Sequence, residues 1–142
     1  MFKDILLPVD IGNPETQTKA VSTAVEMAQA FGCRLHVMTI VPTFGEGFVS
    51  SFFPADYQEK AMAAANEHLH AFVRQHVPDG VAVQHVVACG TIYEEILDFA
   101  KKHSIDLIVM ASHRPELSDY LLGPNAARVT RHADCSVLVV RA

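Results

Sequence analysis

Apolar and polar positions along the chain follow two alternating rhythms, short continuous apolar runs and longer stretches with apolar residues every third or fourth position. Residues 2–9, F-K-D-I-L-L-P-V, read as a buried strand that meets a loop at Asp10. After the breakers Gly12, Asn13 and Pro14, the positions Val21, Ala24, Val25, Ala28 and Phe31 have helical spacing, and Gly32 closes that helix. Leu35 to Val41 is a second strand, stopped by Pro42. Tyr57, Ala61, Ala64, Leu69, Phe72 and Val73 predict an Ala-rich helix over Ala55 to His76, ended by Asp79 and Gly80. Val81 to Ala88 alternates more than the other runs, which suits a strand at a sheet edge. Gly90 and Thr91 open a third helix with Ile92, Ile96, Phe99 and Ala100 on one face, stopping near His103. Ile105 to Met110 is a fourth strand, Gly123 and Pro124 start a fourth helix, and Ser136 to Val140 is a fifth strand.

Strand and helix thus alternate five times, less a last helix, which calls for an open parallel sheet with right-handed crossovers and helices on both faces. In such sheets, ligands bind outside the carboxyl ends of the strands, where neighbouring connections leave to opposite faces. The stretch from Ile105 to Val140 carries the parts of an anion site: a buried strand, a polar loop and a helix start.

Composition narrows the partners. The chain has 142 residues, which suits one domain over 1–142 with no separate substrate domain. Its formal net charge is −5 and its eleven Lys and Arg are scattered, so nucleic acid is not an expected partner. No apolar run approaches the ~20 residues that cross a bilayer, and the amino-terminal apolar span is too short for a signal peptide. The expectation is a cytoplasmic protein with no membrane insertion. Cys33, Cys89 and Cys135 lack C-x-x-C spacing and read as small core residues.

Asp10, at the carboxyl end of the first strand, can accept bonds from a ribose or base or bind a metal through water. It is equally suited to capping the turn that follows. Pro124 stands where its missing N–H costs least, leaving the N–H groups of Asn125 and Ala126 free for an anion without any G-K-[ST] motif. Ser112, His113 and Arg114 follow the fourth strand and can reach the same crevice. Arg114 suits phosphate through its planar fork of donors, whereas His113 alone reads as an exposed loop side chain. Arg128 and Arg131, three apart on the fourth helix, read as a solvated face, and no histidine has metal-ligand spacing. No catalytic nucleophile with a base, and no pair of facing carboxylates, can be assembled from the strand ends.

Four segments carry a family resemblance: I-L-L-P-V-D near the start, V-A-C-G-T-I-Y-E-E-I-L in the middle, D-L-I-V-M-A-S-H-R, and L-L-G-P-N-A-A-R-V-T-R-H-A-D-C-S-V-L-V-V-R at the end. In these the whole chain resembles the universal stress protein family. The resemblance implies a Rossmann-like, adenine nucleotide alpha hydrolase-like sheet of order 3-2-1-4-5. It also implies a homodimer through the last strand, Ser136, Val137, Leu138, Val139 and Val140, which would cover an apolar edge. One branch of the family carries an ATP motif, G-x-x-G, nine residues, then G-[ST]. Here Ala111 and Arg114 replace its glycines, the spacer Pro115 to Leu122 is eight residues, and Pro124 follows the retained Gly123. The motif is altered rather than erased, and the resemblance implies ATP, AMP or ADP as ligand, with Mg2+ as the accompanying ion. On that basis Pro8, Val9, Asp10 and Val41 would line the adenine and ribose side. Met110, Ala111, Ser112, His113, Arg114, Gly123, Pro124, Asn125 and Ala126 would hold the phosphates. The loop from Thr43 to Pro54 would cover the mouth, with Phe48, Phe52 and Phe53 over the base or anchored to the core. The expected role is a dimeric stress-response regulator with at most slow ATP hydrolysis; a dimeric interaction module with an empty site is the competing class.

Overall fold

The computed structural model of the protein describes residues 1–43, 56–112 and 124–141. Five parallel strands, β1 (Asp4–Pro8), β2 (Arg34–Val41), β3 (Val83–Cys89), β4 (Leu107–Ser112) and β5 (Ser136–Arg141), form one sheet in the order β3-β2-β1-β4-β5. Four helices join them: α1 (Thr18–Phe31), α2 (Tyr57–His76), α3 (Ile92–Lys102) and α4 (Pro124–His132). The expected order and the edge position of β3 are both realised.

Side chains alternate across each strand, so one sheet serves two cores. Ile5, Leu7, Leu35, Val37 and Val109 pack with α1 and α2, where Ala24, Leu69 and Phe72 receive them. Leu6, Met38, Ile108 and Met110 face the opposite way, toward Ile96 of α3 and Ala126 and Val129 of α4. Each fully buried Leu or Ile contributes about 1.5–3 kcal/mol by leaving water. The edge strand β3 is only half-buried along most of its length, which is why its sequence alternates.

Local boundaries follow local chemistry. Gly32 ends α1 in the left-handed conformation, φ 67°, and the N–H of Cys33 closes the turn on the carbonyl of Ala28. Helix α1 begins at Thr18 rather than directly after Pro14, because Pro14–Thr16 forms a short 3-10 turn first. Thr91 caps α3 with extended backbone, and α4 opens at Pro124 as its sequence predicts.

Polar groups lace the amino ends of the strands. The Asp106 carboxylate accepts the N–H groups of Lys3 at 2.9 Å and Asp4 at 3.1 Å, tying the entry of β4 to β1. His36 on β2 bridges Asp4 of β1 at 3.0 Å and Gln84 of β3 at 2.6 Å. The three thiols are free; burial raises Cys33 and Cys135, so both stay protonated and serve as small core groups. Among the described residues no helix is long and apolar enough to cross a membrane, and no cluster of three metal-ligating side chains occurs.

His70 of α2 stacks on His85 of β3 with ring centroids 3.7 Å apart. Burial, then the charges of His70 and Arg74, pull the His85 pKa below its usual value. The unfolded chain therefore binds more protons below about pH 6.5, so this contribution to stability is present above that pH and is lost as the pH falls from there through the lowered folded value. Thermal melts should show stability declining from pH 7.5 to 5.5. His85→Phe should flatten that decline, and an unchanged slope would remove His85 as its source.

Candidate functional site

The carboxyl ends of β1 and β4 lie side by side, because these two strands pair in parallel with Ile5 opposite Leu107 and Leu6 opposite Ile108. The chain leaves β1 toward α1 on one face, and α4, which follows β4, packs on the other. The strand order reverses here, which opens a crevice by construction. A cleft of about 160 Å³ occupies it.

Its floor is the end of β1, Pro8, Val9 and Asp10. Val9 donates to the carbonyl of Met38 at 2.8 Å, so the floor remains stitched to β2 beyond the last strand residue. Ile40, Ile92, Ile96 and Met110 form an apolar wall on the α3 and α4 side, with Asn125 of α4 at its rim. Gln17, Thr39 and Ala111 complete the opposite wall.

Asp10 does two jobs at once. Its Oδ1 accepts the N–H of Gly12 at 3.0 Å, and its Oδ2 accepts Nδ2 of Asn13 at 3.0 Å. The N–H of Asn13 closes back on the Asp10 carbonyl at 3.1 Å. The carboxylate thus builds the turn that leads to α1, and its exposed side still borders the cleft.

Of the residues singled out in the sequence, the structure brings Pro8, Val9, Asp10, Met110, Ala111 and Asn125 together on the cleft. Val41 ends β2 half-buried, paired with Cys89, and does not line it. Ala126 is buried in the core beneath α4, and Pro124 is the exposed first residue of that helix. Ser112, 2% exposed, ends β4, and its Oγ has no hydrogen-bond partner among the described residues. His113, Arg114 and Gly123 lie outside the described residues, as does the loop from 44 to 54.

Sequence reasoning passed over Gln17, Thr39, Ile40, Ile92 and Ile96. Thr39 carried a signal, a hydroxyl inside the apolar run L-H-V-M-T-I-V near the carboxyl end of a strand. Ile92 and Ile96 read only as a helix core face, and Gln17 stood in a stretch with no period to mark it.

Three larger hollows lie among the described residues. One, about 380 Å³, runs between the ends of α3 and α4 beside Ile105 and Cys135, at the opposite end of the sheet. A second, about 520 Å³, is an open groove between the β1–α1 connection at Ile11 and Pro14 and Phe72 of α2, and a third, about 290 Å³, lies between Tyr93 of α3 and Arg128 of α4. None of the three is lined by both β1 and β4, whereas the smaller cleft is, so that cleft is the candidate site.

The family model described as the universal stress protein family matches residues 1–141. Universal stress protein G of Escherichia coli O157:H7 is 34% identical over 145 residues, covering 99% of this chain and 100% of that protein. Among solved structures, the hypothetical protein MJ0577 superposes with a TM-score of 0.75 at 23% identity, covering 100% of this chain and 97% of that one. Universal stress protein UspA from Lactobacillus plantarum gives 0.71 at 24% identity, covering 99% and 98%. Two further structures of the same fold hold ligands: a universal stress protein in complex with cAMP (TM-score 0.60, 19% identity, 99% and 97% covered) and one from Archaeoglobus fulgidus with dAMP (0.63, 16%, 97% and 97%).

A buried hydroxyl without a partner has lost its water for nothing, a cost of about 1–3 kcal/mol. Ser112→Ala should therefore leave the ligand-free protein as stable as before or up to about 1 kcal/mol more stable in urea denaturation. A loss larger than that would reveal a partner for this hydroxyl.

Proposed function

From the premise that this chain belongs to the universal stress protein family, we propose that it is a cytoplasmic stress-response regulator that binds ATP or a related adenine nucleotide in the cleft between β1 and β4. The observation that carries this reading is the cleft itself: an apolar wall, an acidic floor and the first turn of a helix meet at the switch in strand order. The adenine nucleotides in two proteins of the same fold support it.

Ile40, Ile92, Ile96 and Met110 offer flat apolar contact to a base. Asp10 takes the sugar, and Asn125 with the start of α4 takes phosphate. A volume of about 160 Å³ falls below the ~300–1,000 Å³ of pockets that enclose a whole ligand, so the phosphates run out along α4 toward Ser112 and the loop that carries His113 and Arg114. Mg2+ would accompany those phosphates, with Asp10 in reach only through water.

Hydrolysis is at most slow. The one carboxylate on the cleft floor spends both oxygens on the turn to Gly12 and Asn13, which leaves it a poor base for a water. The fold also offers β5 as an edge strand, with Val137, Leu138 and Val139 half-buried, and a second copy pairing there would cover it. The methyl of Ala111 on the cleft wall and the missing N–H of Pro124 favour a second reading, a dimeric interaction module that holds no nucleotide.

Native mass spectrometry of the freshly purified protein should find a stoichiometric adenine nucleotide, and millimolar ATP with magnesium should raise the melting temperature of the stripped protein. At a hundredfold excess over Kd the stabilisation is about 2.7 kcal/mol. Neither effect appearing would leave the interaction module standing. Arg114→Ala should weaken ATP far more than adenosine, and equal losses would deny the side chain a phosphate. Sedimentation at micromolar concentration should give a dimer.

A further inference from the structure

We propose that Gln17 and Thr39 form a sugar-reading wall of the cleft, hydrogen-bonding a ribose hydroxyl and so favouring ribonucleotides over their deoxy forms. This rests on the nucleotide reading above and adds a selectivity to it.

Both side chains are polar yet withdrawn from bulk water, 4% exposed for Gln17 and 5% for Thr39, and both line the cleft. A short chain of hydrogen bonds orients the Gln17 amide. Thr16 spends its single hydroxyl hydrogen on the carbonyl of Asn13 at 2.7 Å. The Gln17 atom 2.7 Å from Thr16 Oγ1 must then be the donor, Nε2. That leaves Oε1 and the second N–H of Gln17 without a partner among the described residues, and the hydroxyl of Thr39 likewise. These atoms open onto the cleft rather than into the core, so three unpaired functions on one cleft wall mark where a ligand can take the place of water as hydrogen-bond partner.

Strand alternation identifies the part of the ligand. On β2, Val37 faces α1 and α2, whereas Met38 and Ile40 face α3 and α4. Thr39 alternates with them onto the α1 side, where Gln17 stands at the start of α1. The cleft is therefore polar on the α1 side and apolar on the α3 side, where Ile40, Ile92 and Ile96 stand. A base seeks the apolar side. The sugar, whose hydroxyls both donate and accept, matches the acceptor of Gln17, its remaining N–H and the Thr39 hydroxyl.

The test is to titrate the stripped wild type, Gln17→Met and Thr39→Val with ATP, 2′-deoxy-ATP, 3′-deoxy-ATP and ITP, following each by calorimetry. Wild type should bind ATP roughly three- to tenfold more tightly than at least one deoxy form, the value of one or two neutral hydrogen bonds. Each substitution should remove most of that preference and leave the ratio of ATP to ITP unchanged. Thr39→Val is nearly isosteric and carries the test alone if Gln17→Met does not fold. Wild type binding ATP without a preference for ribose overturns the proposal while the nucleotide reading stands. A preference that persists in both variants, or equal loss for all four nucleotides, also overturns it. A changed ATP to ITP ratio would move these side chains to the base edge. If none of the four binds, the nucleotide reading falls and this proposal with it.

Discussion

The pairing of β1 with β4 is the constraint on which the rest depends. It joins strands whose following helices pack on opposite faces of the sheet, and only such a junction leaves a crevice at the carboxyl ends. The register is held from below, where the Asp106 carboxylate clasps the N–H groups of Lys3 and Asp4. A slip of one residue would turn Leu6 and Ile108 toward α1 and expose the opposite core to the wrong partners. Burial on both faces therefore fixes the geometry of the cleft as firmly as any residue within it.

The two ends of this sheet handle buried polar groups in opposite ways. At the amino ends, Asp4, His36 and Gln84 run across three strands and satisfy one another. At the carboxyl ends, among the described residues, the Ser112 hydroxyl is buried without a partner, and Gln17 and Thr39 keep unused capacity beside the cleft. Leaving the Ser112 hydroxyl dry and unpaired costs stability, of order 1–3 kcal/mol. Within one small sheet the contrast separates the end that holds the fold together from the end arranged to meet something else.

Periodicity made the fold legible because each strand and helix obeys one hydrophobic rhythm. Leu6 and Leu7 sit in a continuous apolar run because β1 is buried on both faces, and Val83 to Cys89 alternates because β3 lies at the edge. The cleft was legible only where a residue type departs from its surroundings. Asp10 after an apolar strand and Pro124 at a helix start announced themselves. Ile92 and Ile96 did not, since an isoleucine that faces a cavity and one that fills a core leave the same trace in a sequence. Gln17 was silent for another reason: its place comes from the turn built by Asp10 and Asn13, a tertiary fact with no period. Val41 ends β2 outside the cleft lining, for the side chains that reach the cleft from β2 are one and two residues earlier.

Asp10 links the sheet to the chemistry. A carboxylate on the floor of a nucleotide cleft could serve as a base, a metal contact or a strut, and its hydrogen bonds weigh these roles against one another. Both oxygens accept from donors in the next three residues, so both are engaged in the turn that leads to α1. Its charge still borders the cleft, where it can accept from a sugar but would repel a phosphate brought directly above it. On the proposed reading a nucleotide would thereby be oriented, with its sugar at the floor and its phosphates displaced toward Asn125 and the start of α4. On the proposed reading, a cleft that orients a ligand and offers, among the described residues, only a carboxylate already engaged in a turn is suited to holding a nucleotide as a signal rather than turning it over.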